Sequence, residues 1–192
     1  MVDHSILMKK LEIFGLDDQA RTWIQSYLSG RSQAVMVDGA LSPALSLSCG
    51  VPQGSILGPL VYILFTNEIP DLVHDHQVNF MAPTPCCTEC GRTISYVDDS
   101  TYSHGDTDPG LLSQKLNQQY ERISNFMAAN KLIINGDKTH LVVMGTRKTA
   151  RRRHEVSILA DGHNIEPTRV ANLLGSVLSE DMKWRQEAVS TC

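Results

Sequence analysis

Two carboxylates stand side by side in SYVDDST (95–101), Asp98 and Asp99, at the end of a short alternating apolar run. Asp is a poor strand former, so the pair marks either a solvated turn or a place built for a cation. Two acids converging on one small volume repel, which raises a pKa or demands a counter-ion. Oxygen donors of this kind suit Mg²⁺, which keeps several waters and shares the phosphates of a substrate. Two such ions about 3.5–4 Å apart can stabilise both the attacking and the leaving oxygen of a phosphoryl transfer. For an isolated Asp-Asp dipeptide the solvated turn is the commoner outcome. Other stretches of the chain must decide.

The second chemical stretch is CGVPQGSILGPL (49–60). Gly50, Gly54 and Gly58 strip side chains from a loop that must approach something closely. Gln53 brings a donor and an acceptor to its tightest point, and Ser55 can hold a backbone group. The apolar run after Pro59 gives the loop a buried base. A plain Gly/Pro-rich connection is the bland alternative. A third stretch, HDHQVNFMAPTPCCTECGRT (74–93), holds Cys87 and Cys90 at C-x₂-C spacing, with Cys86, His74 and His76 as the nearby ligands for a candidate structural Zn²⁺. Free thiols are the alternative. A fourth, RKTARRR (147–153), puts Arg147, Lys148, Arg151, Arg152 and Arg153 in one segment, fit for a nucleic-acid backbone, a nuclear-localisation patch or a solvated loop.

The elements that must position these groups follow from periodicity. Residues 3–14 read as a helix with Ile6, Leu7, Leu11 and Phe14 on one face, Asp3 as its N-cap and Gly15 as its stop. Residues 17–28 read as a second helix facing inward through Ala20, Trp23, Ile24 and Leu28. Two strands, 33–38 and 44–49, are expected around a turn at 39–43, then a short apolar helix at 59–67 with Pro59 in its first turn. Residues 93–97 and 100–103 read as strands with Asp98-Asp99 as their two-residue connection. A long amphipathic helix over 108–130 carries Leu112, Leu116, Tyr120, Ile123 and Met127. Strands follow at 139–145, at 155–160 and 163–166 around Asp161-Gly162, and at 171–178. The fold class is α+β, with an antiparallel sheet packed on helices.

Composition agrees with a globular chain of 192 residues, 42% hydrophobic and 20% charged, and a net charge of −4 excludes nucleic-acid binding by bulk charge alone. The longest apolar stretch, LGPLVYILF (57–65), is too short to span a bilayer. No secretory layout opens the chain, and five cysteines, three of them clustered, fit a reducing compartment. A nuclear or cytoplasmic location without secretion or membrane is the expectation.

In combination and in order, GVPQGSILGPL, YVDD, NKLIINGDKTHLVVMG, the opening VDHSILMKKLEIFGL and the closing LLGSVLSEDMKW resemble the palm of a reverse transcriptase. The likeness is to the non-LTR (LINE-type) retrotransposon enzymes. It implies an RNA-directed DNA polymerase that joins an α-phosphate to a primer 3′-hydroxyl with Mg²⁺ or Mn²⁺. Asp98 and Asp99 would bind the metal, and Tyr96 would sit beside the primer terminus. Gln53, Gly54 and Ser55 would face the template base and the incoming nucleotide. Lys138 would serve as acid for the pyrophosphate leaving group, and Leu174 and Gly175 would fall in the hairpin that grips the primer. Partners would be an RNA or DNA template-primer and a dNTP.

The family's third carboxylate belongs to a strand upstream of the Val2-Asp3-His4 segment. This implies a partial palm over 1–146, with an irregular Cys/His insertion at 70–93, and a basic loop with a β-rich connecting segment over 147–192. Fingers and thumb would be largely missing, and the polypeptide would be inactive alone. An unpaired sheet edge would favour self-association. The alternative is a retrotransposon-derived module, binding nucleic acid without catalysis or stabilised by zinc.

Overall fold

Asp3 starts the first helix as its type dictates: extended at φ −81°, ψ 123°, it accepts hydrogen bonds from the Ser5 and Ile6 N–H groups and caps α1 (His4–Ile13). Gly15, at φ 79°, turns the chain out of the helix. Asp17 repeats the device for α2 (Asp18–Leu28), accepting from Ala20 N–H. The computed structural model describes residues 1–73, 92–96, 99–145, 149–173 and 176–180. These fall into two units. The first takes the described parts of Met1–Val78, Thr93–Tyr102 and Ser124–Ile133, and the second those of Asn79–Arg92, Ser103–Ile123 and Ile134–Cys192.

In the first unit, Leu7 and Leu11 of α1, Leu28 of α2, and Val61 and Phe65 of α3 (Leu57–Thr66) close a core with Val2, and Leu132 packs on it. Each such side chain contributes about 1.5–3 kcal/mol by leaving water. Lys10 is buried in this core. Its Nζ donates to Phe65 O at 2.9 Å, pairs with Glu68, and lies 4.6 Å from the Phe126 ring centre. The short α4 (Ile69–Val73) follows.

Trp23 does not join the core as its spacing suggests; it is 59% exposed. Leu28 is buried and Ile24 packs against the core cluster, while Trp23 stacks on Tyr27 one turn on, at 6.5 Å. Beyond α2 the strands nest as a long hairpin. β1 (Ser32–Gln33) pairs with β4 (Leu45–Ser46), and β2 (Met36–Val37) with β3 (Ala40–Leu41). The turn is Asp38-Gly39, at φ 50° and 81°, rather than the expected 39–43. Two positive φ angles match strand twist, so the two-residue turn prevails.

β5 (Arg92–Tyr96) pairs with β6 (Asp99–Ser103), and α5 (Pro109–Ala129) follows as its apolar spacing requires. In the second unit Asn117 of α5 pins the next hairpin. Its Nδ2 donates to Ser113 O and Ser157 O, and its Oδ1 accepts from Leu159 N–H at 2.7 Å. That hairpin is β8 (Ile158–Ala160) and β9 (His163–Ile165), turning through Asp161 and Gly162 at φ 48° and 82°.

The α+β class holds, but the single antiparallel sheet does not. Among the described residues there are six two-stranded pairings. One is parallel, β7 (Leu141–Val142) with β10 (Pro167–Thr168), where Pro167 has no N–H to extend a ladder. The expected strand 139–145 shortens to β7, and the expected strand 171–178 is a pair, β11 (Val170–Leu173) against β12 (Ser176–Ser179). No helix among the described residues is long and apolar enough to cross a membrane.

Candidate active site

β5 and β6 bring Tyr96 and Asp99 to the same end of one strand pair, with two residues, 97 and 98, between them. Asp99 is thus the first residue of β6, not part of the connection. It is exposed. Alternation puts it on the strand face opposite Tyr102, whose phenol is pushed up in pKa by burial and pulled back by the Ser100 hydroxyl. Asp99 is exposed, while Ser100, Thr101 and Tyr102 after it are half-buried. Asp98 and the Tyr96 side chain lie outside the described residues. Carboxylate oxygen on an exposed strand end fits a hard divalent cation in donor type.

The glutamine loop is built from its two ends. Ser55 Oγ donates to Pro52 O at 2.7 Å and accepts from Gly58 N–H at 3.0 Å. Ile56 offers α3 no side-chain cap, so the Ser55 hydroxyl satisfies one of the open N–H groups of its first turn. Ser55 is engaged inside the loop. Gln53 and Gly54 stand exposed above it. Gly54, at φ 78°, has no heavy atom within 4 Å of where a Cβ would sit, so its backbone is open to an incoming group. Gly58 serves packing instead: a Cβ there would lie 3.0 Å from Ser55 Oγ and 3.3 Å from Pro52 O.

The base of the loop is held by the start of α1. Gly50 N–H donates to Val2 O at 2.6 Å, and Gly50 O lies 2.7 Å from His4 Nε2. Asp3 forms a β-bridge with Cys49 and an ion pair with Lys131 at 2.7 Å. The Lys131 ammonium first, then the Ser5 hydroxyl and the Ile6 N–H, hold the Asp3 carboxyl far below the usual carboxylate range. Asp3, His4, Cys49 and Lys131 line an open cleft of about 710 Å³. His4 and Lys131 were not legible as site residues. Their partners lie 46 and 128 positions away, and no local pattern signals such pairs.

In the second unit Lys138 ends a 3-10 turn, Gly136–Lys138, with its N–H on Asn135 Oδ1 at 3.3 Å, and it is exposed. The described part of the basic segment lies in a 3-10 turn, Thr149–Glu155. Arg152 grips the Glu155 carboxylate through Nε and Nη2 at 2.9 and 2.8 Å, and Arg153 pairs with Glu180. Arg151 alone of these three shows no such partner and is exposed. The grip lowers the Glu155 pKa and raises that of Arg152. Arg147, Lys148, Leu174, Gly175, His74, His76, Cys86, Cys87 and Cys90 lie outside the described residues, the candidate zinc site with them. No group of three or more metal-ligating side chains occurs among the described residues.

The model of the reverse transcriptase (RNA-dependent DNA polymerase) family matches residues 1–176. The chain is 47% identical over 47 residues to a probable RNA-directed DNA polymerase from transposon X-element of Drosophila melanogaster, covering 24% of this chain and 5% of that protein. It is 41% identical over 56 residues to the RNA-directed DNA polymerase from mobile element jockey of Drosophila funebris, covering 29% and 6%. To the retrovirus-related Pol polyprotein from type-1 retrotransposable element R2 of Popillia japonica it is 24% identical over 98 residues, covering 51% and 16%. The chain spans a small part of each of these relatives. With a family match over residues 1–176 and relatives among non-LTR elements, it belongs to the reverse transcriptase (RNA-dependent DNA polymerase) family, in its LINE-type branch.

Proposed function

We propose that this chain is a portion of an RNA-directed DNA polymerase palm, contributing two carboxylates of the metal site and the loop that meets the template base and nucleotide. The observation that carries the reading is the β5–β6 pair, which presents an exposed Asp99 at the strand end beside Tyr96. Asp98 and Asp99 would hold Mg²⁺ or Mn²⁺. A divalent ion bound there would supply charge neutralisation at the reacting phosphate oxygens. The chain's own residues orient and exchange protons. Gly54 lets the backbone approach a base pair, and Gln53 offers hydrogen bonds beside it. Lys138 donates a proton to the pyrophosphate leaving group. Positioning of the primer 3′-hydroxyl for in-line attack supplies much of the remaining rate.

The 192-residue polypeptide is proposed to be inactive by itself, because this reading supplies its metal site with two carboxylates, Asp98 and Asp99. Hard cations depend on the number of converging oxygens, so two carboxylates bind weakly. Two measurements test the reading. Fluorescence anisotropy with a primer-template should show binding that Mg²⁺ strengthens, with the Mg²⁺ effect lost in Asp98→Asn/Asp99→Asn. Single-turnover primer extension by the polypeptide alone should add no nucleotide. An unchanged Mg²⁺ effect in the double variant refutes the metal site; nucleotide addition refutes the inactivity. The non-catalytic binding reading loses support from Arg152 and Arg153, whose charges are paired with Glu155 and Glu180.

A further inference from the structure

We propose that His4 is a positioning residue for the glutamine loop, clamping its base through the Gly50 carbonyl. The inference rests on the polymerase reading of that loop and adds a residue to its machinery. A carbonyl oxygen only accepts, so His4 Nε2 carries the proton in the 2.7 Å contact with Gly50 O. The N–H of the same glycine is held by Val2 O at 2.6 Å. Both polar groups of one peptide position are thereby fixed, three residues before Gln53. Gly50 sits at φ 86°, a conformation that aims its carbonyl and amide apart from the path an L-residue would take.

The clamp has a rigid mount. His4 is the first residue of α1, whose Leu7 and Leu11 are fully buried, and the cap at Asp3 is locked by Lys131. The far end of the loop is fixed independently, by Ser55 on Pro52 and Gly58. Gln53 and Gly54 are thus bracketed between two anchors, and His4 adds a side-chain tie to the backbone contacts of Gly50 with Val2 and of Cys49 with Asp3. Gln53 itself is exposed, and its direction is set by the backbone at each side. Loss of the His4 anchor releases the Gly50 carbonyl and loosens that side of the loop without removing any apolar core residue.

The test compares the full chain with His4→Leu and His4→Gln. Gln can place an amide N–H near the Nε2 position, whereas Leu cannot donate. Backbone amide exchange by NMR reads the loop directly, and primer-template affinity reads the function. His4→Leu should speed exchange at Gly50, whose N–H is held by Val2 O, roughly five-fold, the scale of one hydrogen bond, while α2 amides stay unchanged. Affinity should fall by a similar factor, and His4→Gln should restore both. Unchanged loop exchange in His4→Leu overturns the proposal. So does acceleration spread evenly over α1, α2 and the loop, which marks general unfolding, or a failure of Gln to rescue. If the wild-type chain binds no primer-template, the polymerase reading fails, and loop exchange with its rescue still decides the clamp. If loop exchange follows expectation while affinity does not, the positioning role is overturned.

Discussion

Gly58→Ala tests how the glutamine loop is packed. In an exposed helix this change gains about 1 kcal/mol, since Ala is the better helix former. Here the new Cβ would meet Ser55 Oγ at 3.0 Å and Pro52 O at 3.3 Å, with Val51 Cγ2 at 3.6 Å behind. The hydroxyl can retreat only by giving up its bonds to Pro52 O and from Gly58 N–H. Those are about 1 kcal/mol each, and crowding a packed site adds about 1–3 kcal/mol. The net is a destabilisation of about 2–4 kcal/mol, or about 4–16 °C in Tm for a chain of this length. Urea denaturation followed by circular dichroism measures it, with Ser55→Ala as a second background. Without the hydroxyl, most of the clash is gone, so Gly58→Ala should become nearly neutral on Ser55→Ala. A stabilising Gly58→Ala in the wild-type chain, or the same loss in both backgrounds, refutes the packing argument.

Other consequences concern charge. Asp3→Asn keeps a good N-cap residue but removes the anion held by Lys131. The folded carboxyl is depressed, so its stabilisation is complete above the unfolded value of about 4 and is lost as pH falls below it. The stability difference between wild type and Asp3→Asn should be flat from pH 5 to 8 and shrink below about pH 4; a difference that grows on acidification contradicts this. Lys10→Met strands Phe65 O and leaves Glu68 to water, which its 41% exposure permits, so a loss of about 2 kcal/mol by urea titration is expected. If primer-template binds the basic turn, Arg151→Ala should lower the slope of log affinity against log salt by about 1. Arg152→Ala should leave that slope unchanged, because Glu155 already holds the guanidinium; an equal effect of both variants contradicts the pairing.

What could be read from the chain was local. Asp3 and Asp17 cap helices because a short acceptor side chain before an apolar period does so wherever it stands. Asp161-Gly162 turns a hairpin for an equally local reason, and the apolar spacing of α5 needs no partner to be seen. Pairings between distant segments left no such trace. Leu141 finds Pro167 in a parallel pair, and Arg153 finds Glu180, by tertiary placement. The basic run could therefore be read as a phosphate-binding surface or a solvated loop, with no sign that two of its arginines are paired. Trp23 shows the same limit, since a stripe four residues wide does not say which edge meets the core. At the site, the glutamine loop was legible from its glycines, whereas the His4 anchor beneath it was not.

We propose that Asp98 and Asp99 form a divalent-cation site of a polymerase palm. Paramagnetic broadening by Mn²⁺, followed in amide NMR spectra of the 192-residue polypeptide, tests it most directly. Broadening should concentrate at Tyr96 and Asp99, compete with excess Mg²⁺, and vanish in Asp98→Asn/Asp99→Asn. Broadening centred elsewhere, or persisting at Tyr96 in the double variant, would contradict the account.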